Sequence, residues 1–364
     1  MRILHILNHV QEIGNGIVNV AVDLACLQAK TGHEVSVASA GGEYEGLLAR
    51  YGIKHFHLDQ TRELLNLIKA SRRYRALIRE FQPDIVHAHM MTGVVLARVL
   101  KARARYALIS TVHNEFQRSA VLMGLADRVI AVSNAVSHSM AQRGIPSEKL
   151  RVVKNGTLGS PRTRQAADYL SLPLQRPAIT TVAGMYRRKG IAELIDAFEQ
   201  TAISFPQAHL YIVGDGPDRA LFETQARRTL VADQIHFEGF QPEPQRYLVS
   251  TDILVVASHR EPFSLAISEA REAGCAIVAS NVDGIPEALD NGQAGLLIPP
   301  ADSHALAAAL VELLSKPSVL QTWKQRAHQN LEWLTATRVN EETLAVYGEL
   351  TGLELSHVSP AVLG

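Results

Sequence analysis

Short apolar runs alternating with helical stretches, in two successive sets, constrain this chain more than any other feature. In the first half the runs are Arg2–Leu7, Glu34–Ala38, Ile53–Leu58, Ile85–His89, Ala107–Thr111, Arg128–Ala131 and Arg151–Val153. Helical patterns separate them, among them Val18–Thr31, Leu64–Phe81, Gly93–Arg103 and Ser133–Arg143. Short strands that alternate with helices predict βαβ units and a parallel sheet covered on both faces. The rhythm breaks over 159–177, where Gly159, Ser160, Pro161, Arg162, Pro173 and Pro177 fall without a long apolar run. It then restarts, with strands predicted near Ala178–Ala183, His209–Val213, Ile235–Glu238, Ile253–Ala257, Ala276–Ala279 and Gly295–Ile298. Helices are predicted near Ile191–Ile203, Arg219–Val231, Leu265–Ala273 and Ser303–Lys316, and a last one over Val339–Thr351. The expected fold class is α/β, with two Rossmann-like, doubly wound domains of residues 1–160 and 161–337 facing across a cleft. Ligands of such sheets bind outside the carboxyl ends of the strands, so the residues just past each strand are the ones to read for chemistry.

Length and charge narrow the classes. At about 150 residues per domain, 364 residues make about two domains. Lys+Arg and Asp+Glu are 36 each, so nothing in the balance calls for a nucleic-acid partner. Residues 1–160 carry 20 basic and 12 acidic side chains and the remainder 16 and 24, which suggests lobes with different partners. Cys26 and Cys275 form no C-x-x-C pair, which excludes a disulfide framework or thiolate zinc site and fits a reducing compartment. The opening residues are too briefly apolar for a signal peptide, and no apolar stretch reaches 18 residues. The expected location is cytoplasmic. The sequence also lacks G-x-S-x-G and Walker A patterns, against hydrolase and kinase chemistry, and G-x-G-x-x-G, against a nicotinamide enzyme.

The richest segment runs from Ile253 to Gly274. A buried strand ends near Ser258, a polar loop carries Glu261, and Ser264 stands where a helix N-cap belongs. The first amides of that helix, at Leu265 and Ala266, with the positive end of its dipole, make a phosphate-type anion site. Glu269, one to two turns in, could hold a ribose diol and Glu261 a sugar hydroxyl; alone, either could be an ordinary surface carboxylate. Ala183-Gly-Met-Tyr-Arg-Arg-Lys-Gly190 follows a strand and sets three cations before a glycine, a second anion site. Gly214-Asp-Gly-Pro217 ends another strand, as a close-approach turn or only a tight one. Phe240 could stack on a nucleobase or fill the core. In the first half, Gly14-Asn-Gly16 and Thr111-Val-His113-Asn114 follow strands, and Ser133 and Asn155-Gly156 fall at later strand ends. His87 and His89 alternate at a strand end, and a metal pair there lacks a third ligand in the sequence. Arg62–Arg79 reads as a basic amphipathic helix, suited to an anionic membrane surface or to a solvated face over a buried apolar stripe.

Taken in order, these segments resemble the retaining family 4 (group 1) glycosyltransferases of the GT-B fold. Glu261-x7-Glu269 is similar to that family's paired glutamates, Gly214-Asp-Gly-Pro217 to its glycine turn and Phe237-Glu-Gly-Phe240 to its base-contacting loop. Val282-Asp-Gly-Ile-Pro-Glu287 with Asn291-Gly resembles a further family stretch, and Lys189-Gly190 the diphosphate lysine and its glycine. Ile13-Gly-Asn-Gly-Ile-Val-Asn-Val distantly resembles cyanobacterial envelope-polysaccharide enzymes. The resemblance implies a GT-B architecture whose C-terminal helix, about 338–352, returns to the first domain. It also implies donor-sugar contact by Glu261, ribose contact by Glu269, and phosphates near the backbone of Phe263, Ser264 and Leu265. His113 matches the acceptor-lobe histidine and Gly16 a first-lobe glycine. The family's usual arginine after the glycine is Met185 here, so Arg187 or Arg188 would supply that charge. With no D-x-D present, the expected enzyme needs no metal or other cofactor. It would move a hexose-type sugar from a nucleotide-diphosphate sugar, a UDP-sugar, to a glycan or lipid-linked acceptor. A UDP-sugar epimerase on the same plan and a non-catalytic nucleotide-sugar-binding protein are the alternatives.

Overall fold

A computed structural model describes residues 1–61, 63–101 and 104–352, leaving Arg62 and Arg103 outside the described residues. The chain forms two compact units. One comprises Met1–Asn155 together with the segment from Ala336 onward, and the other Gly156–Thr335.

The first unit is built on seven parallel strands: β1 (Arg2–Ile6), β2 (Glu34–Ser39), β3 (Lys54–His57), β4 (Ile85–Ala88), β5 (Ala107–Val112), β6 (Arg128–Ala131) and β7 (Leu150–Val152). They lie in the order β3-β2-β1-β4-β5-β6-β7, so the winding reverses between β1 and β4. Ile3, Leu4 and Ile6 of β1 and Ile85 and Val86 of β4 are fully buried, as central parallel strands require. The helix Gly16–Lys30 begins at Asn15, whose side chain accepts from the Ile17 amide at 3.0 Å. Gly16 is therefore the first residue of a helix and not part of the turn, because Asn15 closes the turn as its cap.

The helix Ala336–Thr351 returns to this unit and packs on Gly16–Lys30 and on β5. Glu349 holds it to the sheet by pairing with Arg128 of β6 at 2.9 Å and Arg151 of β7 at 2.7 Å. The helix Leu64–Phe81 buries Ala70, Tyr74, Leu77 and Phe81, one stripe at helical spacing, while Lys69, Arg72, Arg73, Arg75 and Arg79 face outward. The C-terminal part of the apolar stripe is thus occupied by the protein's own core, while Leu67 and Ile68 nearer its start are exposed. Among the described residues no helix is long and apolar enough to cross a membrane.

The second unit has six parallel strands: β8 (Ala178–Val182), β9 (His209–Val213), β10 (Ile235–Gly239), β11 (Ile253–Val256), β12 (Ala276–Ser280) and β13 (Leu296–Ile298). Their order is β10-β9-β8-β11-β12-β13, with the reversal between β8 and β11. The helix Arg219–Ala226 is shorter than its pattern predicts, and the helix Pro317–Ala327 goes unpredicted. Its apolar face is half-buried: Val319, Leu320 and Trp323 pack partly exposed on the core, and only Ala327 is fully covered. The Phe237–Gly239 stretch is not a loop. It is the end of β10, where the register with β9 shifts.

Arg271, on the helix Leu265–Glu272, is fully buried. Its guanidinium donates to the carbonyls of Ala327, Ala288 and Gln329 at 3.0, 2.8 and 2.7 Å and to Asp290 at 2.8 Å. One cation thereby ties the helix that carries Glu269 to two other segments, 288–290 and 327–329. Removing it strands the Asp290 carboxylate and several carbonyls, and breaking a buried pair from one side costs about 3–5 kcal/mol. Arg271→Ala should therefore lower the denaturant midpoint of the second unit strongly. A midpoint within experimental error of the wild type would contradict this role.

Candidate active site

In the second unit, the loops that follow β8 and β11 flank the point where strand order reverses, the place where parallel sheets open a ligand crevice. Backbone contacts hold these loops tightly. Gly214, past β9, adopts φ +134°, and a Cβ there would lie 2.0 Å from the carbonyl oxygen of Ala183. Met185 donates to the Asp215 carbonyl at 2.9 Å and is itself fully buried in the core. The position where an arginine might reach a ligand is thus occupied by core packing. The cations follow in one tight turn, Arg187–Lys189, closed by Gly190 at φ +66°. A Cβ on Gly190 would lie 1.9 Å from the Ala257 carbonyl, and the His259 amide donates to the Arg188 carbonyl at 2.8 Å, which joins the loops after β8 and β11. Glu193 Oε1 lies 2.9 Å from His259 Nε2 across the same loops. Arg187 is mostly exposed and turned toward Asp218. Arg188 is half-buried and lies over the Tyr186 ring at 5.4 Å.

Lys189 and Glu261, expected to serve separate ligand groups, are bonded to one another: Lys189 Nζ donates to Glu261 Oε2. The pair is largely shielded, with 16% and 9% of the side chains exposed. Ser258 Oγ reaches the same oxygen at 3.4 Å. Asp283 fixes the backbone beneath it, accepting from the Glu261 amide at 2.8 Å and pairing with Arg260 at 2.9 Å. Gly284 donates to the Glu261 carbonyl at 3.1 Å. Ser264 does hold the N-cap position of the helix Leu265–Glu272, but its side chain caps nothing. The first-turn amides at Leu265 and Ala266 are therefore not screened by that hydroxyl. Phe263 is buried edge-on against Trp333 at 6.2 Å, and Glu269 is half-buried. Phe240, just past β10, is 40% exposed, so it is no core filler. The second unit thus gathers Lys189, Arg188, Gly214, Phe240, Glu261, Phe263, Ser264 and Leu265 along one sheet edge, with Glu269 on the helix that follows.

The first unit's reversal point carries histidines. His5 on β1 faces His87 on β4, with His89 just past β4 and His113 just past β5. His5, His87 and His89 are fully or nearly fully buried. Burial pushes His5 down to about 4 and His113 to about 3, and depresses His87 and His89 well below 6.5, so all four rings are neutral at pH 7. His5 supplies the third ring that the sequence leaves unseen beside His87 and His89, and the three could in principle surround an ion. Their six ring nitrogens, however, are all engaged in hydrogen bonds, to Gln28, His89, Tyr347, Thr111, His5 and His113. A metal there would have to displace hydrogen bonds that these rings make with one another and with their neighbours.

The residues matched by two family descriptions fall on these two units. "Glycosyltransferase Family 4" matches residues 14–157 and "Glycosyl transferases group 1" residues 165–330. The chain belongs to the family 4, group 1 glycosyltransferases. This GT-B glycosyltransferase is 29% identical over 296 residues to a protein named glycogen synthase in Mycobacterium tuberculosis, which covers 74% of this chain and 70% of that one. It is 25% identical to the phosphatidyl-myo-inositol mannosyltransferase of Mycolicibacterium smegmatis, with coverage of 97% and 95%. Among solved structures it superposes on Anabaena HepE in complex with UDP-glucose, with a TM-score of 0.83, 20% identity and coverage of 96% and 100%.

Several residues that shape these two clusters escape sequence reasoning. Asp283 stands in a stretch whose family likeness is visible, but its clamp on the Glu261 backbone is not. Gln28 and Tyr347 lie within helical patterns that announce packing only. Nothing marks His5 beyond its type.

Four rings kept neutral give the first unit a pH dependence. An unfolded chain protonates histidine near 6.5 while the folded unit resists to about 4 at His5 and about 3 at His113, so the unfolded state binds more protons in between. Stability is complete above pH 6.5 and falls with decreasing pH, by up to about 1.4 kcal/mol per pH unit for each ring. Thermal unfolding of this unit should move steadily down from pH 7 to pH 5, and His5→Gln should make the decline shallower. A temperature that does not change over that range would count against four rings held neutral.

Proposed function

We propose that this glycosyltransferase moves a hexose-type sugar from a UDP-sugar to a hydroxyl of a glycan or lipid-linked acceptor, with retention at the anomeric carbon and without a divalent cation. The observation that carries this reading is the shielded Lys189–Glu261 pair at the strand-order reversal of the second unit. Lys189 stands close to a helix start whose first amides its cap side chain leaves open, the composition of a pyrophosphate site. Solved neighbours support the donor: Anabaena HepE is in complex with UDP, with UDP and glucose, and with UDP-glucose. Names among the relatives, such as glycogen synthase and lipopolysaccharide core glycosyltransferase LpsD of Rhizobium meliloti, support a glycan product.

The pairing of Lys189 with Glu261 suggests how donor arrival prepares the site. An incoming diphosphate competes with Glu261 for the lysine, and the carboxylate so released accepts hydrogen bonds from the sugar's hydroxyls. The bond between the anomeric carbon and the phosphate oxygen then breaks. The acceptor oxygen bonds to that carbon on the same face, and the acceptor's proton passes to the departing phosphate oxygen. Lys189 and the helix amides meet the charge that develops on UDP. The sequence has no D-x-D, which fits a leaving group stabilised by fixed protein donors. Removing one such preorganised donor costs about 3–4 kcal/mol, or a factor of 10²–10³. Arg188 contributes from the same turn, Glu269 takes the ribose, Phe240 lies against the base, and His113 serves the reacting sugar and acceptor.

The test is thermal-shift screening against UDP-, GDP- and ADP-sugars followed by UDP-release and product analysis with the responding donor. UDP-sugars should raise the unfolding temperature of the second unit, since a ligand at 100 times its Kd adds about 2.7 kcal/mol. Turnover should persist in EDTA, the product should keep the donor's anomeric configuration, and Lys189→Ala and Glu261→Ala should each lose at least about a hundredfold. Near-normal transfer by either variant, or loss of transfer on chelation, would overturn the reading.

A further inference from the structure

His113 is the last member of a continuous hydrogen-bonded chain through the first unit's core. Its Nε2 meets His89 Nδ1 at 3.2 Å, His89 Nε2 meets His5 Nδ1 at 3.0 Å, and His5 Nε2 meets Gln28 Oε1 at 2.8 Å. Beyond Gln28 the chain continues from its Nε2 to Tyr347 Oη at 3.4 Å, from there to His87 Nδ1 at 2.6 Å, and from His87 Nε2 to Thr111 Oγ1 at 2.7 Å. The elements contributing to it are β1, β4, β5, the helix Gly16–Lys30 and the helix Ala336–Thr351.

Proton counting gives this chain a direction. A neutral imidazole carries one N–H and one lone pair, so if one nitrogen donates the other must accept. Hydroxyls and imidazoles can face either way along such a chain. The amide of Gln28 cannot, because its oxygen only accepts and its nitrogen only donates. With Oε1 toward His5, the His5 proton must sit on Nε2, leaving Nδ1 to accept from His89 Nε2–H. His89 Nδ1 then accepts from His113 Nε2–H. On the other side, Gln28 Nε2–H donates to Tyr347, Tyr347 to His87 Nδ1, and His87 Nε2–H to Thr111. Every bond is satisfied by one proton running the same way, from His113 to Thr111. Desolvation keeps all four rings neutral, each with the single N–H that this counting assumes.

We propose that Gln28 is a positioning residue that acts through His5 and His89 to hold His113 as its Nε2–H tautomer, so that His113 offers a bare Nδ1 as acceptor for a hydroxyl of the sugar or the acceptor. Nδ1 has no hydrogen-bond partner among the described residues, and the ring is half-buried, so this nitrogen is the one left for a ligand. The use of the lone pair rests on the transferase reading given above. The tautomer itself does not.

The experiment is long-range proton–nitrogen NMR on the full chain with ¹⁵N-labelled histidine, at pH 7, assigned by His5→Gln, His89→Gln and His113→Ala. The expected spectrum shows His113, His89 and His5 protonated on Nε2 and bare on Nδ1. A His113 protonated on Nδ1 means that the chain runs the other way and overturns the proposal. In Gln28→Met, which keeps the shape but removes both amide ends, the His113 nitrogens should shift toward an average of the two tautomers. In the same variant kcat should fall about tenfold, the loss of one net hydrogen bond, with little change in donor KM. An unchanged His113 signature in Gln28→Met also overturns it, and if that variant does not fold, the wild-type spectrum alone decides. Failure of every donor to be turned over would sink the transferase reading and leave the NMR result standing.

Discussion

Parallel strands leave their carboxyl ends as the only edge where loops from several βα units converge, and everything chemical in this protein follows from that constraint. In the second unit the edge brings a lysine after β8 within bonding distance of a glutamate after β11. Neither strand is next to the other in sequence; they are neighbours because the sheet's winding reverses there. The same reversal in the first unit sets His5 of β1 beside His87 of β4. Two unrelated chemistries, one ionic and one of neutral rings, thus occupy equivalent places in two copies of one topology.

The difference between them is a matter of hydration. Lys189 and Glu261 are bonded to one another and retain some access to solvent. The four histidines have no such partner. Burial drives them to neutrality, and a neutral ring can belong to a hydrogen-bonded chain that a charged one would break. The two sites thus rest on opposite electrostatic solutions, a bonded pair of opposite charge in one and uncharged rings in the other.

Sequence patterns reveal the sheets almost completely because parallel strands buried on both faces must be apolar, and loops between them must contain breakers. The helix Leu64–Phe81 is readable to its ends for the same reason of periodicity. Patterns fail where packing, and not local preference, decides. Pro317–Ala327 packs Val319, Leu320 and Trp323 against the core only partly buried, a weaker stripe than that of a fully buried helix. Gly16 reads as a turn residue until Asn15 is seen capping the helix. Among the site residues, Glu261 and Lys189 stand out by position after a strand, but their mutual bond depends on two loops 72 residues apart. Gln28 and Tyr347 are less readable still. Their polar atoms sit on helices that look merely amphipathic, and only the fold turns those atoms toward His5 and His87.

The helix Ala336–Thr351 belongs to the first unit but follows the whole of the second along the chain. A ribosome therefore delivers residues 156–335 before it delivers the hydroxyl that His87 requires and the carboxylate that Arg128 and Arg151 require. At about 5–20 residues per second, the nascent first half waits on the order of ten to forty seconds with those groups unmatched. The later-made unit, whose strands and helices are contiguous, is in a position to close first. Assembly of the earlier-made one is gated by the arrival of its last helix.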